Sequence, residues 1–237
     1  MHKRAITALA TAALGFWLAG PAPAAEKFDA SLRFALGFPQ GEFRDSLDRT
    51  GLGMDMSFAY LWPGTSVSTG VSFGFLIMGS ESRDEPLSPT IPDLVVRVTT
   101  TNAILLSHAF IRLQPRSGAV RPYVEGLAGL HYLFTTTSLR GGDDGGEALS
   151  STNFDDLAFS YGLGGGAKLA LLRIERRERP DRIMTLDLDV GLRWLRGGQA
   201  DYLKKGSVHR ENGVVTYDVS TSRTDLCQAG VGLSFSF

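Results

Sequence analysis

Between Met184 and Trp194 the chain alternates without a break. Met184, Leu186, Leu188, Val190, Leu192 and Trp194 are apolar, and Thr185, Asp187, Asp189, Gly191 and Arg193 fall between them. A period of two places the two sets on opposite faces of a β-strand, and the same pattern recurs often enough to predict about eight strands. The first, near Phe28 to Phe38, sets Phe28, Ala30, Leu32, Phe34 and Leu36 against Asp29, Ser31, Arg33 and Gly37. The second, near Gly51 to Trp62, sets Leu52, Met54, Met56, Phe58, Tyr60 and Trp62 against Asp55, Ser57 and Ala59, and Pro63-Gly64 marks a turn. A third runs from Val67 to Ile77. A fifth, near Arg121 to Phe134, turns Val124, Gly126, Ala128, Leu130, Tyr132 and Phe134 to one side and Tyr123, Glu125, Leu127 and His131 to the other. The sixth divides Phe159, Tyr161, Leu163 and Leu169 from Ser160, Gly162, Gly164, Gly166 and Lys168.

The fourth strand, between Val95 and Leu113, has apolar residues on both faces. Its register is chosen to turn His108 and Arg112 away from the apolar side, because a charge facing lipid at mid-depth costs roughly 2–4 kcal/mol. The last strand, Cys227 to Phe237, alternates Cys227, Ala229, Val231, Leu233, Phe235 and Phe237 with Gln228, Gly230, Gly232, Ser234 and Ser236.

Each apolar face covers roughly six alternating positions, enough for a tilted span of about 9–11 residues. Strands apolar on one face and small or polar on the other predict an all-β, closed, antiparallel transmembrane β-barrel of up-and-down topology. Connections sort by length: Gln40 to Thr50, Gly79 to Asp93, Thr135 to Asp156 and Arg196 to Ser222 are polar and read as long loops, while Pro63 to Ser66 and Gln114 to Val120 are short. Arg173 to Arg182 is dense in both charges and reads as a solvated turn. Trp62 and Phe237 are expected at one rim, and Phe38, Phe134 and Trp194 at the other.

The amino terminus carries His2, Lys3 and Arg4, then an uncharged apolar stretch from Ala5 to Gly20, then Ala22-Pro23-Ala24. This is the pattern of a cleavable secretory signal, 1–24, ahead of a barrel domain, 25–237. Taking Lys3 and Arg4 from the 24 basic residues leaves 22 against 25 acidic ones, a net charge near −3 with no footprint for nucleic acid. One cysteine, Cys227, excludes an intramolecular disulfide and a thiolate metal cluster. With an exported chain, both termini are expected in the periplasm and the long connections outside the cell.

Three stretches, Arg121-Pro122-Tyr123-Val124-Glu125-Gly126, Tyr161-Gly162-Leu163-Gly164-Gly165-Gly166 and Gln228 to Phe237, resemble the small outer-membrane β-barrel superfamily that includes the OmpA barrel and OmpX. The resemblance covers essentially the whole mature sequence and implies a Gram-negative outer-membrane location, contact with outer-membrane lipid and lipopolysaccharide, and delivery by the barrel-assembly machinery. It also implies that Gln228, Gly230, Leu233, Phe235 and Phe237 form the assembly signal. It implies no activity, since this fold hosts anchors, adhesins, narrow pores and enzymes.

Ser107 and His108 are adjacent, so their side chains point to opposite faces and form no nucleophile and base couple. His131 is expected to hydrogen-bond Glu125 or a neighbouring strand. A rim site can be drawn from His209 with Asp143, Asp144, Asp155 and Asp156, but no spacing demands it. The loop Arg140 to Glu147 offers carboxylates among glycines without the full pattern of a calcium loop, and reads as a solvated tip. No catalytic, cofactor or metal residue is assigned.

The lumen carries the stronger signal. Arg33, Asp55, Glu125, Lys168, Asp187, Asp189, Arg193 and Gln228 all fall on inward faces, and an eight-stranded barrel has an interior just wide enough for side chains to fill. Opposite charges confined there are expected to pair. The sequence therefore points to a plugged barrel with a structural or surface-interaction role. The alternative is a narrow channel for small solutes, and the third reading is a hydrolase with a rim site.

Overall fold

The computed structural model describes residues 26–47, 49–88, 91–141, 147–175, 183–211 and 214–237. The segment 1–24 read above as a secretory signal, Asp143 and Asp144 of the glycine-rich tip, and 176–182 of the charged connection lie outside the described residues. The elements are β1 (Phe28–Pro39), α1 (Glu42–Leu47), β2 (Gly51–Leu61), β3 (Val67–Ser88), β4 (Ile91–Leu113), β5 (Val120–Gly141), β6 (Glu147–Glu175), β7 (Ile183–Gly197), β8 (Gln199–Glu211), β9 (Val214–Arg223) and β10 (Leu226–Ser236). Eight strands close into an antiparallel barrel in the order β1-β10-β7-β6-β5-β4-β3-β2, and β8 with β9 forms a separate hairpin between β7 and β10. The closing seam pairs β1 with β10 from Asp29 opposite Ser236 to Pro39 opposite Leu226. Closure leaves no free edge within the barrel, which a strand structure needs in hydrocarbon. No helix among the described residues is long and apolar enough to cross a membrane.

Alternation in the sequence becomes two surfaces. Phe34, Leu163, Leu192 and Trp194 are 61–73% exposed on the outer wall, while Arg33, Lys168, Asp189 and Arg193 are at most 4% exposed inside. At the end bearing both termini, Phe28 packs on Tyr60 (ring centroids 5.5 Å apart) and on Phe237 (5.9 Å), and Tyr60 packs on Trp62 (5.4 Å). Phe134, with Tyr132 and Phe75, occupies the opposite rim. Arg116 fastens the terminal end by donating to the carbonyls of Thr65 (2.7 Å) and Trp62.

Two expectations are corrected. The segments read as long loops are largely strand. Gln40 to Thr50 contains α1, β3 and β4 continue to Ser88 and from Ile91, β5 and β6 continue to Gly141 and from Glu147, and the last segment contains β8 and β9. Hydrophobic alternation reports one-sided burial, and a hairpin standing in water has none. β-branched residues still favour extended backbone, and Thr99, Thr100 and Thr101 pair with Ser138, Thr137 and Thr136. Hydroxyl contacts such as Ser82 to Thr99 (2.9 Å) and Ser80 to Thr101 (3.1 Å) tie the neighbouring strands.

The second correction concerns the lumen, which is polar in one half only. Away from the termini it is filled by Leu76, Ile104, Leu106, Leu133 and Leu195, capped by Phe43 of α1 against Tyr202 of β8 at 5.5 Å. This explains why β4 is apolar on both faces. Ile104, Leu106 and Phe110 point into the lumen, while Leu105, Ile111 and Leu113 face outward. His108 and Arg112 are buried on the inner face.

Candidate functional site

The other half of the lumen is built from charge. On β1 and β2, Arg33 sits opposite Asp55 in the ladder, and its Nε donates to Asp55 Oδ1 (3.1 Å) with a second, shorter contact from Nη2. On β4 and β5, Arg112 sits opposite Glu125 and donates twice to Oε2, at 2.9 and 2.7 Å. Such directly opposed pairs are what a period of two delivers. Arg193 joins the two pairs across the lumen. Its Nε donates to Glu125 Oε1 and its Nη1 to Asp55 Oδ2, both at 2.7 Å.

Tyr123 completes this layer by accepting from Arg33 Nη1 (3.1 Å) and donating to Asp189 Oδ1 (2.9 Å). Its ring also lies under the Arg112 guanidinium, 4.4 Å from the centroid. Nearer the termini, Lys168 Nζ donates to both oxygens of Asp29 (2.6 and 2.7 Å) and to Ser234 Oγ (2.7 Å), while Ser234 and Ser236 donate to Asp29 Oδ2. Arg112 stands 3.9 Å from Asp29 and links the layers. Arg121 pairs with Asp187 and lies 3.6 Å from Glu26.

Glycines make room for this. A Cβ at Gly164 would stand 2.9 Å from Glu125 Cγ and 3.0 Å from Arg193 Cγ, and one at Gly191 would overlap the Tyr123 hydroxyl. The glycine-rich run 161–166 is thus the clearance for side chains reaching in from β5 and β7. Gly191→Val is expected to lower the unfolding free energy by about 1–3 kcal/mol through overpacking. Urea titration of refolded protein reads this, and an unchanged midpoint would contradict the placement of Tyr123.

The inward residues named from sequence fall into two groups. Arg33, Asp55, Glu125 and Arg193 form one network with Asp189, whereas Lys168 pairs with Asp29 and Asp187 with Arg121. Gln228 is buried, and its amide has no hydrogen bond among the described residues. Sequence reasoning left Asp29, Arg112, Arg121, Tyr123 and Glu26 out of the network. Asp29, Arg121 and Tyr123 share strand parity with residues it did include, and Arg112 had already been turned inward with His108, so parity could have found all four; Glu26 precedes β1 and carries no such signal.

Above the charges, His108 Nε2 contacts Ser160 Oγ at 3.1 Å, and the His108 and His131 rings meet edge to face at 5.5 Å. The partner of His131 is Thr224 Oγ1 (3.3 Å), not Glu125, which both arginines occupy. The serine against His108 comes from β6, a pairing hidden from sequence spacing. His108, Ser160 and His131 are all buried, between the ion network and the apolar cap.

Of the rim site drawn from sequence, only the Asp155 and Asp156 side chains are among the described residues. Asp155 accepts from Tyr132 (3.0 Å), Asp156 accepts from the backbone N–H groups of Leu157 and Asp201 (both 2.7 Å), and the His209 side chain lies outside the described residues. Among the described residues no group of three His, Cys, Asp or Glu side chains is placed to hold a metal ion.

An apolar outer wall around a charged interior settles the architecture. The chain folds as a small eight-stranded barrel of the membrane-spanning type. No protein-family model matches it, and no curated protein does. Solved structures to which it is similar include neisserial surface protein A, with 12% identity over 91% of this chain and 98% of that one, at a TM-score of 0.40. Ail, the attachment invasion locus protein of Yersinia pestis, has 12% identity over 90% and 97%, at 0.36. A major outer membrane protein from Thermus thermophilus has 14% over 88% and 99%, at 0.33. At these scores the strand order and register above, not the likenesses, carry the fold.

Proposed function

We propose that the chain is an integral outer-membrane barrel of a Gram-negative bacterium, closed to diffusion, which presents its strand extensions at the cell surface and performs no catalysis. The observation that supports closure is the cross-lumen connection Asp55–Arg193–Glu125, flanked by Arg33 and Arg112. Each guanidinium saturates carboxylates from other strands, and the apolar cap lies beyond. The channel reading would need both layers to part.

The aromatic cluster at the termini and the extended hairpins opposite support the sidedness of this reading, in which Phe28 and Phe237 lie at the periplasmic rim and α1 and the β3–β4, β5–β6 and β8–β9 hairpins lie outside. Gln228, Gly230, Leu233, Phe235 and Phe237 form the terminal strand that the assembly machinery would read, and lipopolysaccharide would surround the outer wall.

Trypsin added to intact cells is expected to cut the hairpins and leave a protected, heat-modifiable barrel core. A chain lacking Phe235 to Phe237 is expected to give no such core. Full resistance of the wild type on intact cells, or normal insertion of the truncated chain, would reject this arrangement.

A further inference from the structure

A recess of about 340 Å³ opens where β1 ends, lined by Phe38, Pro39, Gln40, Arg44, Arg49 and Thr50. We propose that it binds a phosphate monoester on a lipid headgroup of the outer leaflet. This rests on the outer-membrane reading above and names the lipid chemistry that its outer rim selects.

The recess is two-sided. Phe38, the last outward-facing residue of β1 at 37% exposure, gives the recess an apolar wall on the same face of the barrel as Leu36 and Leu52, with the buried Pro39 beside it. The other wall carries the guanidiniums of Arg44 and Arg49, and no carboxylate among the described residues lines it. Neither Arg44 nor Arg49 has an ion-pair partner among the described residues. The acidic residues of α1 turn elsewhere, because at about 100° per residue Asp45 and Glu42 project about 100° and about 160° away from Arg44. The Glu42 carboxylate faces the backbone N–H of Arg223 at 3.4 Å.

Arg49 is held in place at one end only. Its Cδ packs where a Cβ on Gly79 would come within 3.2 Å, and Nη1 donates to the carbonyl of Ser80 at 3.5 Å; among the described residues the rest of its donor fork has no partner. An arginine fork matches the oxygens of a phosphate. A cationic wall directly above an apolar one fits an amphiphile whose acyl chain follows the barrel wall. The volume suits a phosphate with its attached sugar, at the lower end of the about 300–1,000 Å³ range of small-ligand sites.

The test compares wild type with the Arg44→Gln, Arg49→Gln double variant, refolded in nanodiscs containing lipid A with both phosphates, lipid A stripped of phosphate, or phosphatidylcholine with added inorganic phosphate. Native mass spectrometry reads the lipid retained on the protein, and thermal unfolding reads protection by inorganic phosphate. Wild type is expected to retain phosphorylated lipid A about tenfold more than the double variant, with neither protein retaining the stripped lipid.

Protection of the wild type alone by inorganic phosphate, without lipid selectivity, would overturn the headgroup and assign the arginines to a free anion. Equal retention of phosphorylated lipid A by both proteins would overturn the site. Heat-modified migration is read in the same samples. Failure of the wild type to insert strikes the membrane reading, whereas insertion with equal retention strikes only the site.

Discussion

Replacing Arg193 by alanine is expected to lower the unfolding free energy by about 3–5 kcal/mol, the cost of stripping a partner from buried charges. Arg193 is the one side chain among the described residues that grips Glu125 and Asp55 from across the lumen, each at 2.7 Å. The buried ionisable set among the described residues, histidines aside, comprises five basic residues (Arg33, Arg112, Arg121, Lys168, Arg193) against six acidic ones (Glu26, Asp29, Asp55, Glu125, Asp187, Asp189), and the substitution deepens that negative excess. The variant is therefore expected to gain a cation-preferring leak as well as to lose stability. Adding Arg33→Ala frees the other side of Asp55 and should enlarge both effects. Folding titrations in lipid vesicles and ion-replacement currents check the two halves separately, and a variant as stable as wild type would mean that Arg193 does not bridge the lumen.

Arginine introduced at Val190 should cost roughly 2–4 kcal/mol, because Val190 is an exposed outer-wall residue midway along β7 and a charge there must sit in hydrocarbon. Asp189→Asn, one residue away and facing inward, is expected to cost much less. An asparagine oxygen still accepts the Tyr123 hydroxyl, and removing one carboxylate brings the buried set into balance. The test is the order of the two costs in refolding titrations. Equal costs, or the reverse order, would mean that the inward and outward faces have been exchanged.

These two positions also show why the barrel was legible in the sequence. In β7 every inward residue from Thr185 to Arg193 is polar or glycine and every outward one from Met184 to Trp194 apolar, so parity alone assigns the face. In β4 the lumen itself demands apolar residues, since Ile104 and Leu106 pack beneath the cap, and parity then loses its contrast. Outside the barrel the contrast fails for the opposite reason. Thr99 to Thr101, Thr136 and Thr137 are all part-exposed, so strands there look like loops to any pattern based on burial. The charge network was legible as a list of inward residues, but its pairing was not. Lys168 lies opposite Asp189 in the ladder yet reaches Asp29, where Ser234 and Ser236 also donate to the carboxylate and Ser234 accepts from the ammonium, while Asp189 is held by Tyr123. The arginine recess was invisible for a simpler reason, since Arg44 lies in α1 and Arg49 beyond it, and no periodicity in the sequence says that the two line one recess.

The most direct test of a sealed lumen is the single-channel current of wild-type protein refolded into planar bilayers. The ion network and apolar cap predict no steady current, with at most brief, weak openings. A large, sustained conductance, unchanged by Arg33→Ala with Arg193→Ala, would contradict the plug and make the protein a pore.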